Sequence, residues 1–204
     1  MQSKFFPTGA LTMRKFRTDR DAPLFWKLKN FLKYDHVWGW ACYKLAMAFN
    51  RVTHIPVMVG KLSIRLLPAA GGSIDYGVVS HRLVTDAFVA LMVDQLQTET
   101  SVWGDFKYHD SGVGTTAADN NNTAIETTDG EDRVAGTQTE GASAWIYKSV
   151  GTIAYTTSKA ITEHGLFNHA TDPTLMDRHV FAAVNVVNGD SIEFSYELTC
   201  TAET

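Results

Sequence analysis

The sequence predicts a mainly β protein with an α-helical N-terminal part, an α+β chain whose C-terminal domain is an antiparallel β-sandwich or jelly roll. Three observations predict it. In Ser191–Cys200, Ile192, Phe194, Tyr196, Leu198 and Cys200 alternate with Ser191, Glu193, Ser195, Glu197 and Thr199, the period of a strand with one buried face. Asn188-Gly189 separates this run from the apolar stretch 180–187, which predicts a terminal antiparallel hairpin. Between residues 100 and 204, short β-prone runs are divided by clusters of Gly, Asn, Asp and Thr.

Taken in order, residues 1–23 carry Pro7, Gly9 and Pro23 among scattered basic residues and read as an irregular arm. A helix is expected from Leu24, with Pro23 near its first turn and Phe25, Leu28, Phe31 and Leu32 on one face. Gly39 is expected to break it. Residues 57–67 read as a short strand, and Pro68-Ala-Ala-Gly-Gly72 as a turn. Residues 78–97 read as a helix with an apolar stripe through Val79, Leu83, Ala87 and Leu91. The Gly/Thr/Asn-rich stretch 109–143 reads as exposed loops with short strands, and 145–156 and 159–167 as strands.

The chain has 204 residues, 45% of them hydrophobic, enough for a globular core. No run approaches the ~20 apolar residues of a membrane helix. No charged-then-apolar leader pattern opens it, so secretion is not expected. The two cysteines, Cys42 and Cys200, form neither a disulfide framework nor a zinc set and are expected to be buried thiols. Residues 1–75 hold twelve Lys/Arg and four Asp, a net +8, while 76–204 hold six Lys/Arg and eighteen Asp/Glu, a net −12. The expected division is therefore a basic anchor arm over 1–75 and an acidic domain over 76–204, the two facing different surroundings. The acidic domain is expected to fold without residues 1–33.

Residues that carry chemistry are sparse. His164, His169 and His179, with Glu163, Asp172 and Asp177 nearby, match no metal-ligand spacing, and His164 is expected at a turn or strand end. His109-Asp110 resembles a base beside its orienting carboxylate, without a nucleophile elbow. Asp129-Gly130-Glu131-Asp132 lacks the alternation of a calcium loop and reads as a solvated turn. Gly112-Val113-Gly114 lacks the rest of a phosphate loop and reads as a tight turn needing positive φ. No enzyme activity, cofactor or metal is expected. The basic-aromatic segment 25–49 suits either self-packing or a protein partner, more than lipid or nucleic acid. Its anchors are expected to be Phe25, Phe31, Trp38, Trp40 and Tyr43, with Arg14, Arg17 and Arg20 at the rim.

Five runs carry a resemblance: Asp105–Thr115, Arg133–Gly141, Ala160–Phe167, Asp177–Asn185 and Gly189–Ile192 with the strand that follows. Over about residues 78–201 the chain resembles small virion structural proteins of tailed bacteriophages, of the capsid decoration (cement) or head and tail appendage type. The resemblance implies a β-rich module, often trimeric, located in the virion and bound to the major capsid protein or tail components. A decoration protein that bridges neighbouring subunits is the leading expectation. A tail or head-fibre adaptor, or a carbohydrate- or receptor-binding module using the loops at 109–143, is the alternative.

Overall fold

The structure is a computed structural model that describes residues 26, 28, 30, 34–53, 58–97, 106–171 and 174–200. It is mainly β, with two antiparallel sheets. The elements run α1 (Tyr34–Thr53), β1 (Met58–Leu67), β2 (Ile74–Leu83), α2 (Asp86–Gln97), β3 (Tyr108–Gly112), β4 (Val134–Ala135), β5 (Thr137–Glu140), β6 (Ile146–Ala154), β7 (Lys159–Phe167), β8 (Leu175–Val186) and β9 (Ser191–Cys200). One sheet has the order β2-β1-β9-β6-β5 and the other β4-β3-β7-β8. Ile192, Phe194, Tyr196 and Leu198 of β9 are buried as their alternation requires, each worth about 1.5–3 kcal/mol of apolar transfer. They join Leu62, Ile64 and Leu66 of β1, Ile161 and Leu166 of β7, and Phe181 and Val184 of β8 in one core cluster.

Several expectations are corrected. Asn188-Gly189 does form a tight turn, with Gly189 at φ 87°, but β8 and β9 do not pair: the chain crosses there from one sheet to the other. The crossing is fixed from outside. Gly189 N donates to Tyr155 O and Tyr155 N to Asp190 O, both at 2.9 Å. The Asp190 carboxylate accepts Ala69 N at 2.9 Å and Val187 N at 2.7 Å. These bonds hold the turn against the end of β6, so it cannot continue as a two-strand ribbon. The expected helix at 78–97 is half strand. Its β-branched start, Val78 and Val79, extends β2 along β1, and α2 begins only at Asp86, where Thr85 Oγ1 accepts Phe88 N at 3.2 Å as an N-cap. Gly39 does not break α1. It lets the helix lie on β2, because a Cβ there would stand 2.1 Å from His81 O. Cys200 is exposed and Cys42 half-buried, so neither is the buried thiol expected.

The division at residues 75 and 76 runs through β2. β1, from the basic part, lies between β2 and β9. Lys61 and Arg65 of β1 stand directly across from Glu197 and Glu193 of β9 and pair with them at 2.5 and 3.2 Å. Part of the charge asymmetry is thus compensated inside the sheet rather than by a second molecule. Trp26 and Asn30 also belong to the folded body. β8 shifts register opposite Ile161–Glu163, and its backbone leaves the ladder there. Trp26 Nε1 donates to Ala183 O at 2.8 Å. Asn30 Oδ1 accepts Ala182 N and its Nδ2 donates to Val79 O, both at 2.8 Å, so one buried amide ties β8 of one sheet to β2 of the other.

Candidate functional site

The inner face of the four-stranded sheet carries a buried polar row. His164 of β7 and His179 of β8 are direct cross-strand partners. His109 of β3 lies two residues before Ser111, the partner of His164 on the other side. All three are 0% exposed. His109 Nδ1 is 2.9 Å from His164 Nε2, and its Nε2 is 2.8 Å from Ser149 Oγ on β6 of the opposite sheet. His164 stacks on Phe194 of β9 with centroids 4.6 Å apart. His179 meets the Tyr196 ring edge-on at 5.7 Å and lies 3.2 Å from Asp177 Oδ2, to which Tyr196 OH donates at 3.3 Å. Gly151 makes space for the row, since a Cβ there would fall 2.5 Å from His109 Cδ2.

Burial sets the protonation of this row. It lowers His109 from 6.5 to about 3. It lowers His164 well below the usual range, with His109 and His179 adding repulsion. Burial, then the Asp177 charge, raises the Tyr196 phenol well above its ordinary value. His109 and His164 are therefore neutral near pH 7, and His109 joins the sheets through its hydrogen bond to Ser149. Ser149, His109 and His164 stand in the order of a nucleophile relay, but the Ser149 hydroxyl is 0% exposed and faces the sheet interior. Its donor-or-acceptor freedom closes the chain for either imidazole tautomer.

The preceding residue of β7, Glu163, points the other way and organises the long loop after β3. Glu163 is 0% exposed. Its Oε1 accepts Gly114 N at 2.9 Å and Thr127 N at 2.8 Å, and its Oε2 accepts Glu126 N at 2.9 Å and Arg178 Nε at 2.7 Å. Arg178 continues to Glu126 at 3.1 Å and Asn122 at 3.2 Å. Gly112 and Gly114 are glycines for room, not for positive φ: a Cβ at either would lie 2.4–2.5 Å from Glu163 Oε1.

The residues singled out from sequence separate accordingly. His109 and Asp110 face opposite ways, so Asp110 does not orient His109. It pairs with Arg133 at 2.9 Å, and burial raises its carboxyl against the lowering by Arg133. His164 sits within β7, not at its end. His169 is exposed and contacts Thr171 O at 2.6 Å. Asp172 lies outside the described residues. Among the described residues no group of three or more His, Cys, Asp or Glu is placed to hold a metal ion. The acidic turn is tied down: Asp129 accepts Ser111 Oγ at 2.5 Å, and Glu131 accepts Lys159 Nζ at 2.5 Å, the bond that chiefly lowers its carboxyl below the usual range.

Of the expected anchors, Phe25, Phe31, Arg14, Arg17 and Arg20 lie outside the described residues, and Trp38 is placed only as part of α1. Tyr43 turns inward onto His81, with ring centroids 4.8 Å apart. Trp40 turns outward, 47% exposed. It shares the outer face of α1 with Val37 (42%), Leu45 (67%), Phe49 (49%) and Val52 (80%), four residues that sequence reasoning missed. Their helical spacing was visible. Its direction was not, because the face that rests on β2 is made by Gly39 and Tyr43 rather than by the largest apolar side chains.

Among the described residues no helix is long and apolar enough to cross a membrane. A shallow cavity of about 290 Å³ lies on the outer face of the five-stranded sheet, lined by Arg65, Asp75, Lys148, Glu193 and Glu197. Its cations pair with its glutamates. No protein-family model, curated protein or solved structure matches the chain.

Proposed function

We propose that the chain is a bacteriophage virion structural protein: a capsid decoration protein that stabilises the particle by bridging neighbouring subunits, its two sheets forming a β-sandwich of jelly-roll type. The observation that carries this reading is the outward apolar face of α1, set on a body whose two sheets are joined through one core. Large apolar patches on a soluble surface mark contact sites, and five large apolar side chains share this one. The bridging face assigned is α1, because the chain at Trp26 and Asn30 is committed to the body. Rigidity supports the same reading. The Glu163–Arg178 knot and the histidine row fix the loops and sheets in one arrangement, which suits a module that supplies shape. Mass spectrometry of purified native particles tests the proposal. A decoration protein is expected on the order of hundreds of copies per particle, following capsid symmetry. Absence from particles overturns the virion reading, and a handful of copies assigns the chain to an adaptor.

A further inference from the structure

We infer that the outer face of α1 takes a second copy of this chain, through an antiparallel α1–α1 pair about a two-fold axis near residues 44 and 45. The inference rests on the reading of this face as the bridging surface and names its partner. The face consists of positions 37, 40, 41, 44, 45, 48, 49 and 52, the spacing of one helical stripe. Read from both ends, the residue types match. Val37 answers Val52, Trp40 answers Phe49, Ala41 answers Ala48, and Lys44 answers Leu45. An isologous contact requires that a patch be complementary to itself with direction reversed. In an antiparallel pair each member of these couples meets its mate on the other copy. Aromatic rings then cover aromatic rings, and the two alanine couples leave space for close approach of the helices.

The area fits this occupant. An aromatic side chain offers roughly 150–250 Å² when buried, and Val or Leu somewhat less. Five such side chains at 42–80% exposure, with the alanines and the Lys44 stem, remove about 500–600 Å² per copy, or about 1,000–1,200 Å² per pair, which reaches the lower bound for specific interfaces. The charges give a signature. Lys44 and Arg51 are the exposed cations on the described part of α1, and Lys44 Nζ lies 5.6 Å from the Trp40 ring centroid, so its stem adds cover while its head leaves sideways. Two copies bring like charges together. The pair is therefore expected to tighten with salt, whereas an acidic partner or anionic lipid on the same face would be released by salt.

The test uses the full chain in solution. Sedimentation over about 1–100 µM is expected to show a monomer–dimer equilibrium with a dissociation constant in the micromolar range. Leu45→Glu is expected to be monomeric with an unchanged circular dichroism spectrum. In a Cys42→Ser, Cys200→Ser background, Leu45→Cys is expected to oxidise to a covalent dimer. Val37→Cys alone is expected not to do so, but to crosslink when mixed with Val52→Cys. A wild-type chain that stays monomeric throughout, or Leu45→Cys linking no faster than Val78→Cys on the exposed part of β2, overturns the inference. Crosslinking of Val37→Cys to itself overturns the antiparallel arrangement. Dimerisation of a chain absent from purified particles leaves the pair standing and removes the virion reading, so the two failures are distinguishable.

Discussion

Glu163 shows how much of this protein rests on single polar side chains inside it. A buried carboxylate is tolerated only when its lone pairs are occupied. Here three backbone N–H groups and one guanidinium occupy them. Glu163→Gln keeps the size and removes the charge, and it turns an N–H donor toward groups that already donate. The expected cost is about 3–5 kcal/mol, read from the urea midpoint, with faster proteolysis of the 113–128 segment than of the sheets. A midpoint moved by less than about 1 kcal/mol would show that Arg178 and the loop hold without it. The residue was visible in the sequence only as a neighbour of His164. The signal that could have found it is the pair of small residues at 112 and 114, read as positions that admit a side chain rather than as a turn. His109-Asp110 forms no base–carboxylate pair for a related reason: consecutive strand residues face opposite ways, so adjacency in sequence places them apart in space.

At the scale of elements, the edge of β8 decides what the N-terminal part does. An unpaired strand edge presents backbone groups that must find partners. Trp26 and Asn30 supply two of them, and Thr85 supplies others, its N and Oγ1 donating to Met176 O and Leu175 O. Removing residues 1–33 is therefore expected to destabilise the whole body rather than leave the sheets intact. Asn30→Ala alone, which deletes two bonds to buried backbone, is expected to cost about 2–4 kcal/mol by chemical denaturation. Retention of wild-type melting by the truncated chain would refute this role. Strand identity was largely legible, because β1, β6, β7 and β9 each carry a period-two or β-branched pattern. Their partners were not. The Asn188-Gly189 turn suits both a hairpin and a crossing between sheets, and only the bonds from Tyr155 and Asp190 choose. Residues 78–83 fit a helical stripe as well as a strand, and pairing with β1 decided for the strand.

For the molecule as a whole, the histidine row makes stability depend on pH. His109 and His164 have folded values below the unfolded 6.5. The unfolded chain therefore binds more protons in the interval below 6.5, and stability falls with pH there. The contribution is fully present above pH 6.5 and is lost progressively toward the folded value of about 3 for His109. Each histidine adds a slope of up to about 1.4 kcal/mol per pH unit. The lowered Glu131 and Glu126 act in the same direction and the raised Asp110 in the opposite one, so the comparison with His164→Phe over pH 5.0–6.5 is what separates the imidazole from the carboxyls. Urea midpoints across that interval are expected to drop steeply for the wild type and about half as steeply for His164→Phe. Equal slopes would place the proton uptake elsewhere. The position of β9 has a different consequence, for the order of assembly during synthesis. It is the last of the described strands and lies in the middle of the larger sheet, bonded to β1 on one side and β6 on the other. While a nascent chain emerges from the ribosome, the β1–β2 and β5–β6 ribbons each wait with one open flank until the final ten residues of that sheet arrive to join them.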